Sequence, residues 1–157
     1  MGQLPYLTVD NVKIPQSASI ARMLAKRFNL AGGDEMAHTK CDVVFDTVND
    51  MSQAFYKNVY FVPDDQKPAA LTKFLAEEAP KHLGNIEKLI GMYGQNGHSV
   101  GGSVTWADLY VFDAISMLQD KDAKILDKFP NVAKVKKSVE AHPKVAAWLA
   151  KRPKTSF

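Results

Sequence analysis

The sequence is short of several things, and each shortage excludes a class of protein. Cys41 is the one cysteine among 157 residues, so no internal disulfide can form and stability must come from a packed core. No apolar run approaches the roughly 18 residues that a membrane-spanning helix needs, and no apolar h-region stands near the start as a secretory signal. There is no internal repeat and no low-complexity tract. An excess of one charge is also lacking: 20 Lys+Arg oppose 17 Asp+Glu, a net charge of +3. Lys134, Lys136 and Lys137 form the densest basic group, and such spacing on a helix reads as a solvated face before it reads as a nucleic-acid footprint. His38, His82, His98 and His142 show neither metal-ligand spacing nor a triad arrangement with Cys41. Met1-Gly2 is not a myristoylation signal, because Tyr6 stands where Ser or Thr is needed. The expectation left is a cytoplasmic globular chain with no metal, no nucleic-acid partner and no membrane partner.

What is present fits that frame. A hydrophobic fraction of 46% and a charged fraction of 24% are those of an ordinary domain, and the length suffices for one good core or two small ones. Residues 4–9 and 12–14 alternate as two short strands around Asp10-Asn11, which predicts a hairpin ended by Pro15. From Gln16 onward Ile20, Ala21, Leu24 and Phe28 recur at helical spacing until Gly32-Gly33. Asp34 is placed to cap a long second helix with an apolar stripe of Val44, Val48, Met51, Phe55 and Val59 and a polar stripe containing Asp42, Asp46 and Asp50. Pro68 opens a further helix that Pro80 should kink or split. Five glycines in residues 91–102 predict a flexible connector without regular structure. Two more helices begin at Pro130 and Pro143.

The strongest local signal lies at Ser103-Val104-Thr105-Trp106-Ala107-Asp108. Thr105 and Asp108 have capping-box spacing, and Val104 and Leu109 are placed for a hydrophobic staple. Val111, Phe112, Ala114, Ile115 and Leu118 then cover most of the helix circumference with apolar atoms. Such a helix belongs in the middle of a core. The predicted fold class is mostly α, with a β-β-α piece at residues 1–31 and an all-α domain at residues 34–157.

Three separated patterns, Gly2-Gln3-Leu4-Pro5 with Val9-Asp10, Gln16-Ser17 with Ile20-Ala21-Arg22, and Ser103-Val104-Thr105-Trp106-Ala107-Asp108, together resemble the cytosolic glutathione S-transferases. The C-terminal Val145, Trp148 and Arg152-Pro153 agree. The acidic pattern around Asp46 and Asp50 is similar to that of the sigma class, which includes glutathione-dependent prostaglandin D synthases. The resemblance implies a partial thioredoxin-like glutathione-binding domain before an all-α C-terminal domain. It implies glutathione as co-substrate, small hydrophobic electrophiles as partners in conjugation, and a homodimer. Peroxide or prostaglandin isomerisation belongs to the same family chemistry.

Residue by residue, the resemblance places the cysteinyl part of glutathione at Leu4 and a cis Pro5, with the Gln3 side chain nearby. Gln16 and Ser17 map to the γ-glutamyl clamp, where helix-start N–H groups suit a carboxylate. Asp50 maps to the acid that reaches the γ-glutamyl ammonium of the neighbouring subunit, and Phe55 and Tyr110 to walls of the electrophile pocket. Blander roles stand beside these: an N-cap for Ser17, a solvated carboxylate for Asp50, core packing for Phe55 and Tyr110. In the family a strand, a helix and a second strand precede the Gly2-Gln3-Leu4-Pro5 loop, and the first strand carries the tyrosine that favours the glutathione thiolate. That catalytic Tyr is expected upstream of Met1, and Tyr6 is a poor substitute. The alternative is therefore a non-catalytic structural or ligand-binding relative. A lone hairpin is marginal in water, so residues 1–15 are expected to be poorly ordered in a monomer or docked on a partner.

Overall fold

The computed structural model describes Gly2 and residues 4–153. Strands β1 (Tyr6–Val9) and β2 (Val12–Pro15) form the expected antiparallel hairpin. Asp10 and Asn11 take φ of 48° and 65°, the two left-handed conformations of a type I′ turn, which short polar side chains tolerate. The turn closes on the pair Val9↔Val12, and alternation along the ladder makes Tyr6↔Pro15 a pair that exchanges no N–H···O bonds. Pro15 is thus the last paired residue and does not interrupt the ladder, because its missing N–H is not needed there.

Helix α1 (Ser17–Arg27) follows at once. It stops well before Gly32-Gly33, because Asn29 supplies the left-handed residue at φ 57°. The Leu30 N–H then donates to the Ala25 carbonyl at 2.7 Å, the long bond of a Schellman motif. Asp34 caps α2 (Glu35–Phe55) as expected, its Oδ1 accepting from the Ala37 N–H at 2.7 Å. All five members of the apolar stripe of α2 and its extension are buried, Val59 lying on the π-helical turn Tyr56–Tyr60 that prolongs the helix.

Helix α3 (Lys67–Lys73) passes through a second π-helical turn, Phe74–Glu78, directly into α4 (Ala79–Tyr93). Pro80 neither splits nor ends the run. It falls in the first turn of α4, where the change of hydrogen-bond register at the π turn accommodates a residue with no N–H. After α5 (Trp106–Gln119) come α6 (Pro130–Ala141) and α7 (Pro143–Lys151), both with proline in the first turn.

The core is one assembly of helices. Helix α5 packs on α2 and α6, α4 packs on α2 and α6, and α1 holds the hairpin on one side and touches α5 on the other. Cys41, Val48, Ile86, Val111, Ile115, Val132 and Val135 are all fully buried where these helices meet. The capping box at the head of α5 is complete, with both reciprocal bonds present. No helix among the described residues is long and apolar enough to cross a membrane.

Residues 91–102 depart from expectation. Gly91, Met92 and Tyr93 lie within α4, and residues 94–102 are pinned backbone and not a flexible connector. The Gln95 N–H donates to the Gly101 carbonyl at 2.8 Å, the Gly101 N–H to the Tyr93 carbonyl at 2.9 Å, and the His98 N–H to the Gln95 carbonyl at 3.0 Å. Asp108 Oδ1 accepts from the Ser99 N–H at 2.5 Å. Glycine permits this closeness: a Cβ at Gly94 would sit against the His98 carbonyl oxygen and 2.7 Å from that of Ile90. Gly94 permits this close approach, while Gly97 and Gly101 supply left-handed residues at φ 80° and 63°.

Candidate functional site

Two elements from the start of the chain meet at the candidate site. The hairpin is preceded by a cis Leu4–Pro5 bond, as the resemblance implies, and Leu4 is 83% exposed. Gln3 lies outside the described residues. Immediately after β2, Gln16 is the residue before α1 and takes φ 74°, ψ 109°, a left-handed conformation costing a non-glycine residue on the order of 1–2 kcal/mol. No side chain caps this end. Ser17 occupies the first helical position instead of the N-cap, so the plain capping role weighed for its hydroxyl does not occur. Only from Ile20, whose N–H donates to the Gln16 carbonyl at 3.0 Å, does the helix satisfy its own donors. Gln16 and Ser17 are both exposed. The result is an open, positively polarised helix start with hydroxyl and amide side chains beside it.

Arg22, half-buried on the face of α1 turned toward α2 and α5, ties this end to the helical domain. Its Nε donates to Asp42 Oδ1 at 2.6 Å and its terminal nitrogen lies 3.6 Å from Asp46 Oδ1. The guanidinium lies over the rings of Phe45 and Trp106, 5.0 and 5.3 Å from their centroids. A planar cation suits both tasks, bonding in its plane and stacking on its face. The Trp106 N–H donates to the Leu30 carbonyl at 2.9 Å, a second tie between the two parts. Arg22 stands in one of the quoted motifs with no role assigned to it there; its partners Asp42, Phe45, Asp46 and Trp106 lie twenty or more residues away, and spacing alone could not show them.

Asp50 is exposed on α2, two turns beyond Asp42, on the same side of the helix. Tyr110 and Phe55 are not brought together. Tyr110 is half-buried, its ring 4.5 Å from that of Phe45 and its hydroxyl donating to Asn49 Oδ1 at 3.3 Å. Burial holds its phenol above the ordinary value. With Leu24, Phe28, Trp106 and Leu109 it lines a nearly wholly apolar cavity of about 320 Å³ between α1 and α5. Phe55 does not line that cavity; it packs edge-on against Phe74 in the core. Cys41 is fully buried and burial pushes its thiol up to about 11, so it stays a neutral thiol at neutral pH and is no nucleophile. Tyr6 is half-exposed, with the Lys13 ammonium 5.4 Å above its ring.

Comparison with known proteins agrees with this arrangement. The family described as glutathione S-transferase, C-terminal domain, matches residues 49–152. The chain is 37% identical over 159 residues to the hematopoietic prostaglandin D synthase of Gallus gallus, covering 99% of this chain and 76% of that protein. It is 34% identical to glutathione S-transferase S1 of Drosophila melanogaster, covering 99% of this chain and 62% of the relative. Among solved structures, that of rat hPGDS complexed with a quinoline superposes with a TM-score of 0.87 at 30% identity, covering 99% of this chain and 76% of that one. The chain therefore belongs to the glutathione S-transferase family.

Proposed function

We propose that this chain is a sigma-class glutathione transferase, conjugating the glutathione thiolate to small hydrophobic electrophiles in the cytoplasm as a detoxifying activity, and that it works as a homodimer. The observation that carries this reading is the uncapped start of α1. A γ-glutamyl carboxylate satisfies the free N–H groups there, with the Ser17 hydroxyl as a further donor and the helix dipole adding attraction. Gln16 keeps its left-handed conformation to turn the chain from β2 into that helix start. Leu4 and Pro5 flank the cysteinyl part, and Gln3 borders it. Asp50 of one subunit faces the γ-glutamyl ammonium bound by the other. The electrophile rests on Tyr110, at the apolar cavity it shares with Trp106, and Phe55, packed in the core, takes no part in that wall. Glutathione and the electrophile are the two small molecules the transfer needs, and the reading requires no metal.

Retention on immobilised glutathione, followed by conjugation of a chloro-dinitrobenzene, tests the proposal. Wild-type protein should be retained, and Ser17→Ala should weaken retention by roughly tenfold, the worth of one hydrogen bond to a charged group. Retention without turnover would make the chain a glutathione-binding protein with no transferase activity of its own. Failure of both would remove the glutathione reading.

A further inference from the structure

We propose a second ligand site, for a small organic anion, in the groove between the last turn of α4, the pinned loop and the outer face of α6. It shares no residue with the glutathione site. The groove, open to solvent, has a volume of about 650 Å³, larger than a simple inorganic ion needs and suited to a charged headgroup with an organic remainder. Its α6 wall carries Asn131, Lys134, Lys137 and Ser138, positions three and four apart that fall on one helical face. Its lining contains no Asp or Glu. The nearest acids are already engaged: Glu87 accepts from the Asn131 and Val132 N–H groups, and Glu140 pairs with Lys136. Two ammonium groups with amide and hydroxyl donors around them select for negative charge.

The opposite wall is kept open. Gly91 lies inside α4, where glycine is disfavoured, and a Cβ there would meet only Asn131 Nδ2 at 3.6 Å. Gly97 is at φ 80°, and a Cβ on it would reach Lys134 O at 3.6 Å and the Ser138 Cβ at 3.7 Å. Side chains at these two positions would occupy the cavity. His98 lines the groove, and its Nδ1 is buried with no hydrogen-bond partner. A donor set, an acid-free lining and a wall held open by two glycines thus converge on one groove.

Phenyl phosphate and benzoate, which carry the same ring on different anionic headgroups, test the assignment by amide chemical-shift titration of the intact chain. Saturable shifts at Gly97, His98 and Ser138 are expected for at least one of the two, and the tighter one identifies the headgroup. Lys134→Gln with Lys137→Gln should weaken binding by at least about tenfold. Gly91→Leu should abolish it by filling the cavity without lowering Tm, which separates a lost site from a lost fold. No saturable shift for either anion up to about 10 mM, a concentration that reveals even millimolar affinity, overturns the proposal. So does binding that survives both the double lysine variant and Gly91→Leu.

Discussion

Asp108 shows how much a single buried carboxylate can organise. One oxygen accepts from the Ser99 N–H at 2.5 Å, the other from the Thr105 N–H at 2.7 Å and the Thr105 hydroxyl at 2.8 Å. It therefore caps α5 and anchors the preceding loop at the same time. Asp108→Ala leaves three buried donors unsatisfied, and the expected loss of unfolding free energy in urea is about 2–4 kcal/mol. Asp108→Asn, which keeps one acceptor oxygen, should cost less. Cys41 makes the opposite case of a reactive group disarmed by its surroundings. Its folded-state thiol sits near 11 against an ordinary 9.0, so the folded state holds the proton more tightly than the unfolded one. The stability linked to this group is complete below pH about 9 and is lost as pH rises toward 11. Disulfide-exchange labelling at pH 8 should accordingly be slow on the native protein and fast in denaturant.

At the scale of elements, helix ends are finished in three different ways. Helix α5 carries its own capping box, α1 ends in a Schellman turn at Asn29, and α6 borrows its cap from another helix. Phe129 precedes α6 and offers no side-chain acceptor, and Glu87 of α4 supplies one, at 2.9 Å from the Asn131 N–H and 3.0 Å from the Val132 N–H. Glu87→Ala should lower stability by about 1–2 kcal/mol, as the loss of a charged cap does, measurable as a drop in Tm. The hairpin is the weak element. It has two strands, half-buried at best, and leans mainly on α1 among the described elements. In hydrogen exchange of a dilute monomer, the Leu7 and Val9 amides should exchange at least about a hundredfold faster than those of Val111 and Val135, because local opening does not require the core to unfold.

For the molecule as a whole, the decisive contact is the one that joins the hairpin and α1 to the helical scaffold. Arg22 bonds Asp42 while lying on Phe45 and Trp106. The ion pair is partly exposed and worth little alone, but the stacked guanidinium orients α1, and with it Gln16 and Ser17. Arg22→Ala should cost about 1–2 kcal/mol in stability and should reduce retention on glutathione further than Ser17→Ala does. Arg22→Lys, which keeps charge but not the planar fork, should restore stability more than it restores binding. Retention unchanged in Arg22→Ala would show that α1 is held by its apolar face alone.

The sequence by itself determined whatever depends on neighbours within a turn or two: the Asp10-Asn11 turn, the Asp34 cap, the Thr105–Asp108 box, the buried stripe of α2 and the proline starts of α6 and α7. Backbone dihedral preference and helical periodicity act over that range, so they can be read in order along the chain. It also carried enough separated motifs to reveal the family. Only the tertiary structure decided that residues 94–102 are pinned by hydrogen bonds, with Gly94 allowing close backbone approach, and that Pro80 is absorbed at a π turn. The same holds for Arg22 and Glu87, which act on residues about twenty and forty-four positions away, and for Phe55 and Tyr110, which face different surroundings. Those outcomes depend on which surfaces meet, and the free energy of that meeting belongs to the packed helices together.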